Sequence, residues 1–422
     1  MMITIDQKLI KHMYKNTLVI VLFTLLAIGA SAQTVLQHGA WRAALLRNDG
    51  NKIIFNLDIQ RQKGKTVFYI VNEPEKMLAE DVTIVKDSVF INMPVFESAF
   101  RLKIISKDSL SGTWIRKTTS KDIVMPFTAT TKQAYRFPAV HGNATESAGG
   151  KWKIDFTRSH NSDREAIGQF SQKGNQVTGS ILTPSGDYRY LSGIVTGDSL
   201  QVSTFDGIHA MVFTGKINKG NITNGNLYSG PVSKEIWTAK KDDQAALSTE
   251  QVTRLKDGED GSLNFSFPDI DGKQVSITDQ RFKNKVVIIQ LMGSWCPNCM
   301  DETAFLSEYY DKNKQRGVEV IGLAYEYTTD VKRSAASIRK FQKRFKVKYP
   351  LLITPATVSD SLRTEKTLPQ LTAIKVFPTT LILDKSGKVT AITTDFYGPG
   401  TGDYYTKYKE AFEKKITELL KK

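Results

Sequence analysis

Two cysteines, Cys296 and Cys299, are the residues of this chain whose type and spacing point most directly to chemistry. They are the only cysteines among its 422 residues, and two residues separate them. A Cys-x-x-Cys pair that follows a strand and opens a helix is typical of a redox-active dithiol. If these cysteines form a disulfide in the oxidised state, they therefore pair with each other.

The elements that must position the pair can be predicted on either side of it. An apolar run over residues 286–292 predicts a buried strand, and a helical pattern follows over about 298–314. Pro297 suits the first position of that helix, where a missing N–H costs nothing. Cys296 then lies at the helix N-terminus, where free N–H groups and the helix dipole favour a thiolate. We therefore expect Cys296 to attack a partner disulfide and Cys299 to resolve the mixed disulfide.

Other uses of the cysteine pair fit the sequence less well. A structural zinc site needs two further ligands, and all five histidines lie before residue 241. Cysteine hydrolases need a nearby histidine base, which residues 241–422 lack. A redox-inert disulfide stays open as an alternative, although so short a loop adds little stability. We expect no metal and no cofactor beyond the redox-active disulfide.

The C-terminal part of the chain alternates strand and helix patterns. Strand patterns cover residues 318–324, 379–383 and 389–393, and helical patterns cover about residues 331–345 and 403–420. This alternation predicts an α/β domain over residues 263–422. Three of its segments, residues 267–273, 295–299 and 377–387, together resemble the TlpA/ResA-like thioredoxin family. The resemblance covers about residues 263–422. It implies a thioredoxin fold and extracytoplasmic disulfide reduction or exchange, with cytochrome c maturation among the processes in which family members act.

The resemblance also implies roles for single residues. Pro378 matches the family's cis-proline, which faces the active-site disulfide and would leave the backbone of Phe377 free to pair with a substrate peptide. Trp295 matches the aromatic residue before the motif, with simple packing as the alternative. Together with Pro297, these residues form the expected substrate-binding surface. Glu302 matches an active-site glutamate that could shuttle a proton, with a solvated first-turn glutamate as the alternative.

The sequence departs from the thioredoxin pattern at two places. Gln290 stands on the predicted strand where thioredoxin has a buried acid, and glutamine cannot titrate. An acid–base role would therefore fall to Glu302 or to water. The central residues Pro297 and Asn298 match neither thioredoxin's Gly-Pro nor the Pro-His of a strong oxidant, so the sequence leaves the redox potential open.

The preceding half reads as all-β, with alternating apolar segments and frequent turn dipeptides. Trp41 and Trp152 each open a strand-like segment and lie 111 residues apart. We therefore expect two repeated small β units, residues 33–140 and 141–240, followed by a polar linker over residues 241–262. The whole chain is predicted to be multidomain, with this all-β region followed by the thioredoxin-like α/β domain.

The N-terminus predicts export. Basic residues precede an apolar run over residues 18–28, and Ala30-Ser31-Ala32 forms a cleavage site, so residues 1–32 read as a signal peptide. We expect a periplasmic or otherwise extracytoplasmic protein that is soluble after cleavage near Ala32. The net charge of +15 alone could suggest nucleic acid, but an exported protein is not expected to meet it.

Taken together, these patterns predict an exported thiol–disulfide oxidoreductase that acts on protein thiols and disulfides of the cell envelope. A membrane electron-donor protein is the expected source of reducing equivalents. One alternative is an envelope adaptor whose β region recognises a partner. The other is a peroxiredoxin-like peroxidase, although neither cysteine stands in the Pro-x-x-x-Thr-x-x-Cys pattern of those enzymes.

Overall fold

The computed structural model describes residues 35–133, 135–157, 164–247 and 253–422. The predicted signal peptide, residues 1–32, lies outside the described residues. Two nine-stranded antiparallel sheets come first along the chain, and a five-stranded mixed sheet with its helices follows. Within these ranges, no helix combines the length and the apolar character needed to cross a membrane.

The first sheet is an antiparallel meander. Its strands are β1 (Gly39–Leu46), β2 (Lys52–Gln62), β3 (Lys65–Asn72), β4 (Glu75–Ala79), β5 (Val82–Val85), β6 (Ser88–Asn92), β7 (Ser98–Ser106), β8 (Ser109–Arg116) and β9 (Ile123–Thr130). They lie in the order β4-β3-β2-β1-β9-β8-β7-β6-β5. Strand β7 alternates buried and less buried side chains, as expected for a sheet with one face in a core. That core includes Trp41, Phe55, Trp114 and Phe127.

The second sheet is a closed barrel. Its strands are β10 (Gly150–Thr157), β11 (Arg164–Lys173), β12 (Gln176–Thr183), β13 (Gly186–Asp187), β14 (Leu191–Thr196), β15 (Ser199–Phe205), β16 (Ala210–Asn218), β17 (Asn221–Ser229) and β18 (Ser233–Lys241). Their order is β11-β10-β18-β17-β16-β15-β14-β12-β13, and β11 also pairs with β12. That pairing joins eight strands into a ring, with β13 paired outside it. Aromatic side chains, including Trp152, Phe156, Phe213 and Trp237, fill the interior.

The two sheets correspond strand by strand. When β10 is matched with β1 and so on to β18 with β9, all eight pairings of the first sheet recur in the second. The second sheet adds the pairing of β12 with β14, which closes the ring. The indole Nε1 of Trp41 donates to the carbonyl of Gln37 at 2.9 Å, and that of Trp152 donates to the carbonyl of Ala148 at 2.7 Å. Each tryptophan thus bonds to the residue four positions before it.

The C-terminal part has a thioredoxin-like architecture, so the α/β prediction for this part of the chain is confirmed. The sheet order is β23-β22-β21-β24-β25, with the first three parallel and the last two antiparallel to their neighbours. A separate hairpin precedes it. In chain order the elements are β19 (Ser266–Pro268), β20 (Gln274–Ser276), a 3₁₀ turn (Gln280–Phe282), β21 (Val286–Met292), α1 (Pro297–Asn313), a 3₁₀ turn (Lys314–Arg316), β22 (Val318–Ala324), α2 (Val331–Phe345), β23 (Leu351–Ile353), α3 (Arg363–Thr367), β24 (Thr379–Leu383), β25 (Val389–Thr393), a 3₁₀ turn (Pro399–Thr401) and α4 (Asp403–Lys421).

The predicted linker is packed against the folded parts that it joins. Among its described residues, Ala245 is buried with Ile167 and Leu182 of the barrel, and Tyr404 of α4 packs against the same small cluster. Farther on, Leu255 forms an isolated bridge to the C-terminal domain. The barrel and the C-terminal domain therefore share contacts through this segment.

Candidate active site

The local sequence around the cysteines builds a helix start directly after the central strand. All seven side chains of β21 are buried, so the strand is fixed in the middle of its sheet. Four residues then lead to α1, which begins at Pro297. Cys296 is the N-cap of α1, and its Sγ accepts the backbone N–H of Cys299 at 3.1 Å. The first cysteine thus occupies the position where a helix best stabilises a negative charge.

Cys296 and Cys299 form a disulfide in this structure, with their Cα atoms 5.2 Å apart. Cys299 is fully buried, whereas Cys296 keeps 4% of its surface exposed. Cys296 is therefore the sulfur that a partner can approach. In the described part of the chain, no group of three or more His, Cys, Asp or Glu side chains is arranged to hold a metal ion.

The loop before β24 meets the disulfide, although it lies about 80 residues away in sequence. The Phe377–Pro378 peptide bond is cis, and the Phe377 carbonyl oxygen lies 3.6 Å from Cys296 Sγ. The Trp295 ring packs edge-on against Phe377, with ring centres 5.5 Å apart. Its Nε1 donates to the Tyr325 carbonyl at 2.8 Å. The structure therefore brings the predicted residues Trp295, Phe377 and Pro378 to one site beside Cys296.

Glu302 is buried one helical turn after Cys299, with 1% of its surface exposed. Its Oε1 accepts hydrogen bonds from Thr380 Oγ1 at 2.7 Å and from Tyr408 OH at 3.0 Å, and its Oε2 accepts one from Gln290 Nε2 at 2.9 Å. Burial raises the pKa of Glu302, and these three hydrogen bonds oppose the shift. The alternative of a solvated first-turn glutamate is therefore wrong.

Gln290 links Glu302 to the backbone of Cys299. Its Nε2 also lies 3.4 Å from the carbonyl oxygen of Cys299, and its Oε1 accepts the hydroxyl of Thr303 at 3.0 Å. The glutamine that replaces the buried acid of thioredoxin thus holds the glutamate in place instead of titrating itself.

Sequence reasoning missed a second buried carboxyl group, Glu326, which lies just past the end of β22. Its Oε1 accepts the backbone N–H of Ser294 at 2.8 Å, and its Oε2 accepts the Ser294 hydroxyl at 2.6 Å. Burial, stronger than these hydrogen bonds, raises the pKa of Glu326 to about 7. An acid immediately after an apolar run was the available signal, because the carboxyl ends of neighbouring parallel strands meet at one edge of a sheet.

Sequence reasoning also missed the contact of the barrel with the first turn of α1. Asn298 Nδ2 donates to Asp187 Oδ2 at 3.1 Å. Arg189 donates from Nε and Nη2 to the carboxylate of Asp301, both at 2.8 Å, and pairs with Glu75 of the first sheet at 2.7 Å. Pro297 and Asn298 line a cavity of about 190 Å³ whose other walls come from the barrel. The partners lie more than 100 residues apart in sequence, which leaves no local pattern to detect.

Part of the positive charge of α2 is neutralised by an acid elsewhere in the chain. Arg333 donates to Glu97 of the first sheet from Nε at 2.9 Å and from Nη2 at 2.8 Å, and the hydroxyl of Ser337 donates to the same carboxylate at 2.7 Å. The first sheet therefore contacts α2, whereas the barrel contacts α1.

Comparison with known proteins shows that the C-terminal part of the chain is similar to thiol–disulfide oxidoreductases. Residues 260–392 match the family model described as the AhpC/TSA family. The chain is 31% identical over 126 residues to the thiol–disulfide oxidoreductase ResA of Bacillus thuringiensis subsp. konkukian, covering 30% of this chain and 63% of that protein. It is 26% identical over 140 residues to ResA of Bacillus subtilis, covering 33% and 68%. The resemblance of the C-terminal motifs to the TlpA/ResA-like thioredoxin family is thus confirmed.

Solved structures are similar to part of this chain, and one of them serves as an example. It is a thiol:disulfide interchange protein of the thioredoxin family from Chlorobium tepidum, with 20% identity, a TM-score of 0.29, and coverage of 40% of this chain and 97% of that one. The matches in sequence and in structure thus each cover well under half of this chain, and the chain spans 63% of the length of the first ResA relatives.

Proposed function

We propose that this protein is an exported thiol–disulfide oxidoreductase that reduces or exchanges disulfides of envelope proteins through Cys296 and Cys299. The observation that carries the proposal is the disulfide at the start of α1, with Cys296 as the N-cap and the Phe377–Pro378 loop 3.6 Å from its sulfur. Sequence similarity to proteins named ResA supports the same chemistry.

The reduced form of the pair performs the reaction in two exchange steps. The Cys296 thiolate attacks one sulfur of the substrate disulfide, and the other substrate sulfur leaves as a thiolate. Cys299, as its thiolate, then attacks Cys296 Sγ, which releases the second substrate sulfur and restores the Cys296–Cys299 disulfide. Two electrons have passed to the substrate, so a dithiol donor must reduce the pair again. A membrane electron-donor protein is the proposed source.

Glu302 is proposed to accept the proton of Cys299 before that residue attacks. It stands one turn after Cys299 on α1, and burial raises its pKa above the usual value of a carboxyl group, which suits a group that takes up and returns a proton. Thr380, Tyr408 and Gln290 orient the carboxylate.

The proposed substrate surface consists of Trp295, Pro297, Phe377 and Pro378. The Phe377 carbonyl lies beside the accessible sulfur, and Trp295 is fixed against the Phe377 ring. A substrate segment placed there would present its sulfur to Cys296. The cavity beside Pro297 extends this surface toward the barrel.

Export and envelope partners are part of the proposal. The basic residues and apolar run before Ala32 support a cleaved signal peptide over residues 1–32 and a periplasmic or otherwise extracytoplasmic location. Protein disulfides of the envelope are then the substrates. Precursors of c-type cytochromes are included among them, because the family resemblance of the C-terminal motifs implies that process. Nucleic acid is not a proposed partner.

We further propose that the two sheets are copies of one β unit, residues 33–140 and 141–240, joined through residues 241–262 to a catalytic domain over residues 263–422. The recurrence of all eight strand pairings supports this division. The matching indole hydrogen bonds of Trp41 and Trp152 support it as well.

The test is insulin reduction by the full-length protein with dithiothreitol as electron donor. Cys296→Ser is expected to abolish turnover. Cys299→Ser is expected to accumulate a mixed disulfide through Cys296, because the resolving sulfur is missing. Glu302→Gln is expected to slow resolution by about 10²-fold, the usual size of a general acid–base contribution.

Two outcomes would overturn the proposal. Wild-type protein that reduces no insulin, yet binds envelope proteins through its β region, would support the adaptor alternative. Rapid consumption of hydrogen peroxide with no insulin reduction would support a peroxidase. A covalent partner recovered from Cys296→Ser instead of Cys299→Ser would reverse the roles of the two cysteines.

A further inference from the structure

We propose that Asp187, a residue of the barrel, is a positioning residue that makes the Cys296–Cys299 pair more reducing. The inference deepens the proposed function and rests on it, because it concerns the equilibrium between the disulfide and the dithiol. It assigns to the β region a direct part in setting the redox properties of the catalytic domain.

The carboxylate of Asp187 is bonded to the segment that carries the cysteines. Its Oδ2 accepts Asn298 Nδ2 at 3.1 Å and the backbone N–H of Gly398 at 2.7 Å. Its Oδ1 accepts the backbone N–H of Arg189 at 2.6 Å, which fixes the carboxylate from its own side. Asn298 is one of the two residues between Cys296 and Cys299. A negative charge from a different part of the chain thus stands at the first turn of α1.

The backbone of the barrel comes unusually close to Asn298 at this point. A Cβ atom at Gly186 would lie 2.8 Å from Asn298 Oδ1, a distance that real Cβ atoms do not adopt. Gly186 also has a φ of +128°, which disfavours other residues. A residue without a side chain is therefore required beside Asp187, and this permits the direct contact between the barrel and the Cys-x-x-Cys segment.

The neighbouring charges do not cancel that of Asp187. Arg189 lies two residues after Asp187, and its guanidinium is held by the carboxylates of Asp301 and Glu75. Burial raises the pKa of Asp187 to about 6, so its carboxyl group is ionised at pH 8. The Asp187 carboxylate therefore places a negative charge beside the first turn of α1.

This charge affects only one side of the redox equilibrium. The disulfide carries no charge, whereas the dithiol form carries a thiolate at Cys296 above the pKa of that thiol. A nearby carboxylate repels the thiolate and raises its pKa. The reduced form becomes less stable, which makes the pair a stronger reductant. A charge beside a partly buried group changes the pKa of that group by about one unit. For the Cys296 thiol, this corresponds to about a tenfold change in the equilibrium constant between disulfide and dithiol.

The experiment equilibrates full-length wild type and Asp187→Asn with graded mixtures of reduced and oxidised glutathione at pH 8. The fraction of oxidised pair is read by alkylation of free thiols and mass spectrometry. Asp187→Asn is expected to raise the equilibrium constant for reduction by about tenfold, equivalent to about 30 mV for a two-electron couple. The midpoint of the pH dependence of Cys296 alkylation by iodoacetamide is expected to fall by about one pH unit, a readout that a purely structural role would not move.

Three further variants separate charge from packing. Asp187→Glu retains the charge, and Asp198→Asn removes a carboxylate of the barrel that pairs with Lys216 away from the Cys-x-x-Cys segment. Both are expected to stay within twofold of wild type. Asp187→Ser removes the charge with a smaller side chain and serves if Asp187→Asn does not fold.

The outcomes distinguish this inference from the proposed function. An unchanged equilibrium constant in the folded Asp187→Asn or Asp187→Ser protein would overturn the role of Asp187, as would an equal shift in Asp198→Asn. Failure of the wild-type pair to equilibrate with glutathione at all would instead overturn the proposed redox function.

Discussion

The short segment from Ser294 to Asn298 is held at both ends by a carboxyl group, and the two groups come from different regions. At the upstream end, Glu326 accepts two hydrogen bonds from Ser294, and it belongs to the catalytic domain itself. At the downstream end, Asp187 accepts the side chain of Asn298, and it belongs to the barrel. Residues 294–298 are thus held by one carboxyl group from their own domain and by one from the barrel.

The two carboxyl groups differ in how the chain brings them to this segment. Glu326 lies in the same domain as the cysteines, because it follows a strand parallel to β21. Asp187 reaches Asn298 only because the barrel docks on α1. The first sheet acts less directly. Its Glu97 binds Arg333 and Ser337 of α2, and the charge of Glu97 adds to burial in raising the pKa of Glu326. Two sheets with matching strand order therefore support the site in different ways.

The largest expected effect comes from undoing the docking of the barrel. Arg189 has 4% of its side chain exposed and joins Glu75 of the first sheet to Asp301 of α1. Arg189→Met would leave two carboxylates without their cation. We expect the free energy of unfolding to fall by about 3–5 kcal/mol, the usual cost of removing one partner of a buried ion pair. Urea unfolding of the full-length protein measures it.

The matched control lies at the contact of the first sheet. Arg333→Met breaks the ion pair with Glu97, but 37% of the Arg333 side chain is exposed. The expected loss is only about 0–1 kcal/mol, as for other exposed pairs. Equal losses in the two variants would contradict the distinction between a buried ion pair at the contact of the barrel and a partly exposed one at the contact of the first sheet.

The buried carboxyl group of Glu326 predicts that the free energy of unfolding depends on pH. The pKa of Glu326 is raised to about 7 from a usual value of 4.5, so the folded state binds a proton more tightly than the unfolded chain. The stabilisation is present at low pH and is lost as the pH rises through 7. Between pH 5 and pH 8, we expect Glu326 to account for a fall of about 2–3 kcal/mol in the free energy of unfolding.

Glu326→Gln removes this titration. Between pH 5 and pH 8, the free energy of unfolding of the variant is therefore expected to fall by about 2–3 kcal/mol less than that of wild type. Urea unfolding at several pH values provides the comparison. Glu308→Gln, a change on the exposed face of α1, is the control and should keep the wild-type slope. A Glu326→Gln protein with the wild-type slope would show that this carboxyl group is ionised throughout.

The smallest expected effect tests the likeness of the two sheets. Trp41→Phe and Trp152→Phe each remove an indole N–H that binds a carbonyl four residues earlier, and each leaves a small void in a core. We expect each to lower the free energy of unfolding by about 1–2 kcal/mol. Losses that differ by more than twofold would mean that the two tryptophans contribute unequally to the free energy of unfolding. That result would weaken the proposal that the two sheets are copies of one unit.

Sequence patterns gave much of the catalytic domain. The predicted strands at residues 286–292, 318–324, 379–383 and 389–393 coincide with β21, β22, β24 and β25, and the helix over residues 331–345 coincides with α2. These are mostly apolar runs and one strongly amphipathic stretch, where a local pattern suffices. The three-residue strand β23 and the five-residue helix α3 are too short for any periodicity to appear, and they were missed.

The surroundings of the cysteines could not be predicted to the same extent. Whether Glu302 is solvated or buried depends on Thr380 and Tyr408, which come from β24 and α4. The link of Asp187 to Asn298 spans 111 residues. Alternation predicted strands in the β half, but it could not predict their order or the pairing of β12 with β14. Such contacts arise from tertiary packing, which leaves no periodic trace in the chain.

The closed ring of the barrel has a practical meaning for thiol chemistry. Its eight strands are joined by hydrogen bonds all the way round, and the chain has no cysteine outside the redox pair. Thiol reagents and disulfide-exchange partners that act on Cys296 and Cys299 therefore find no second cysteine in the molecule. Every thiol label reports on one pair of sulfur atoms. The protein can pass through repeated cycles of thiol–disulfide exchange without forming a wrong disulfide within its own chain.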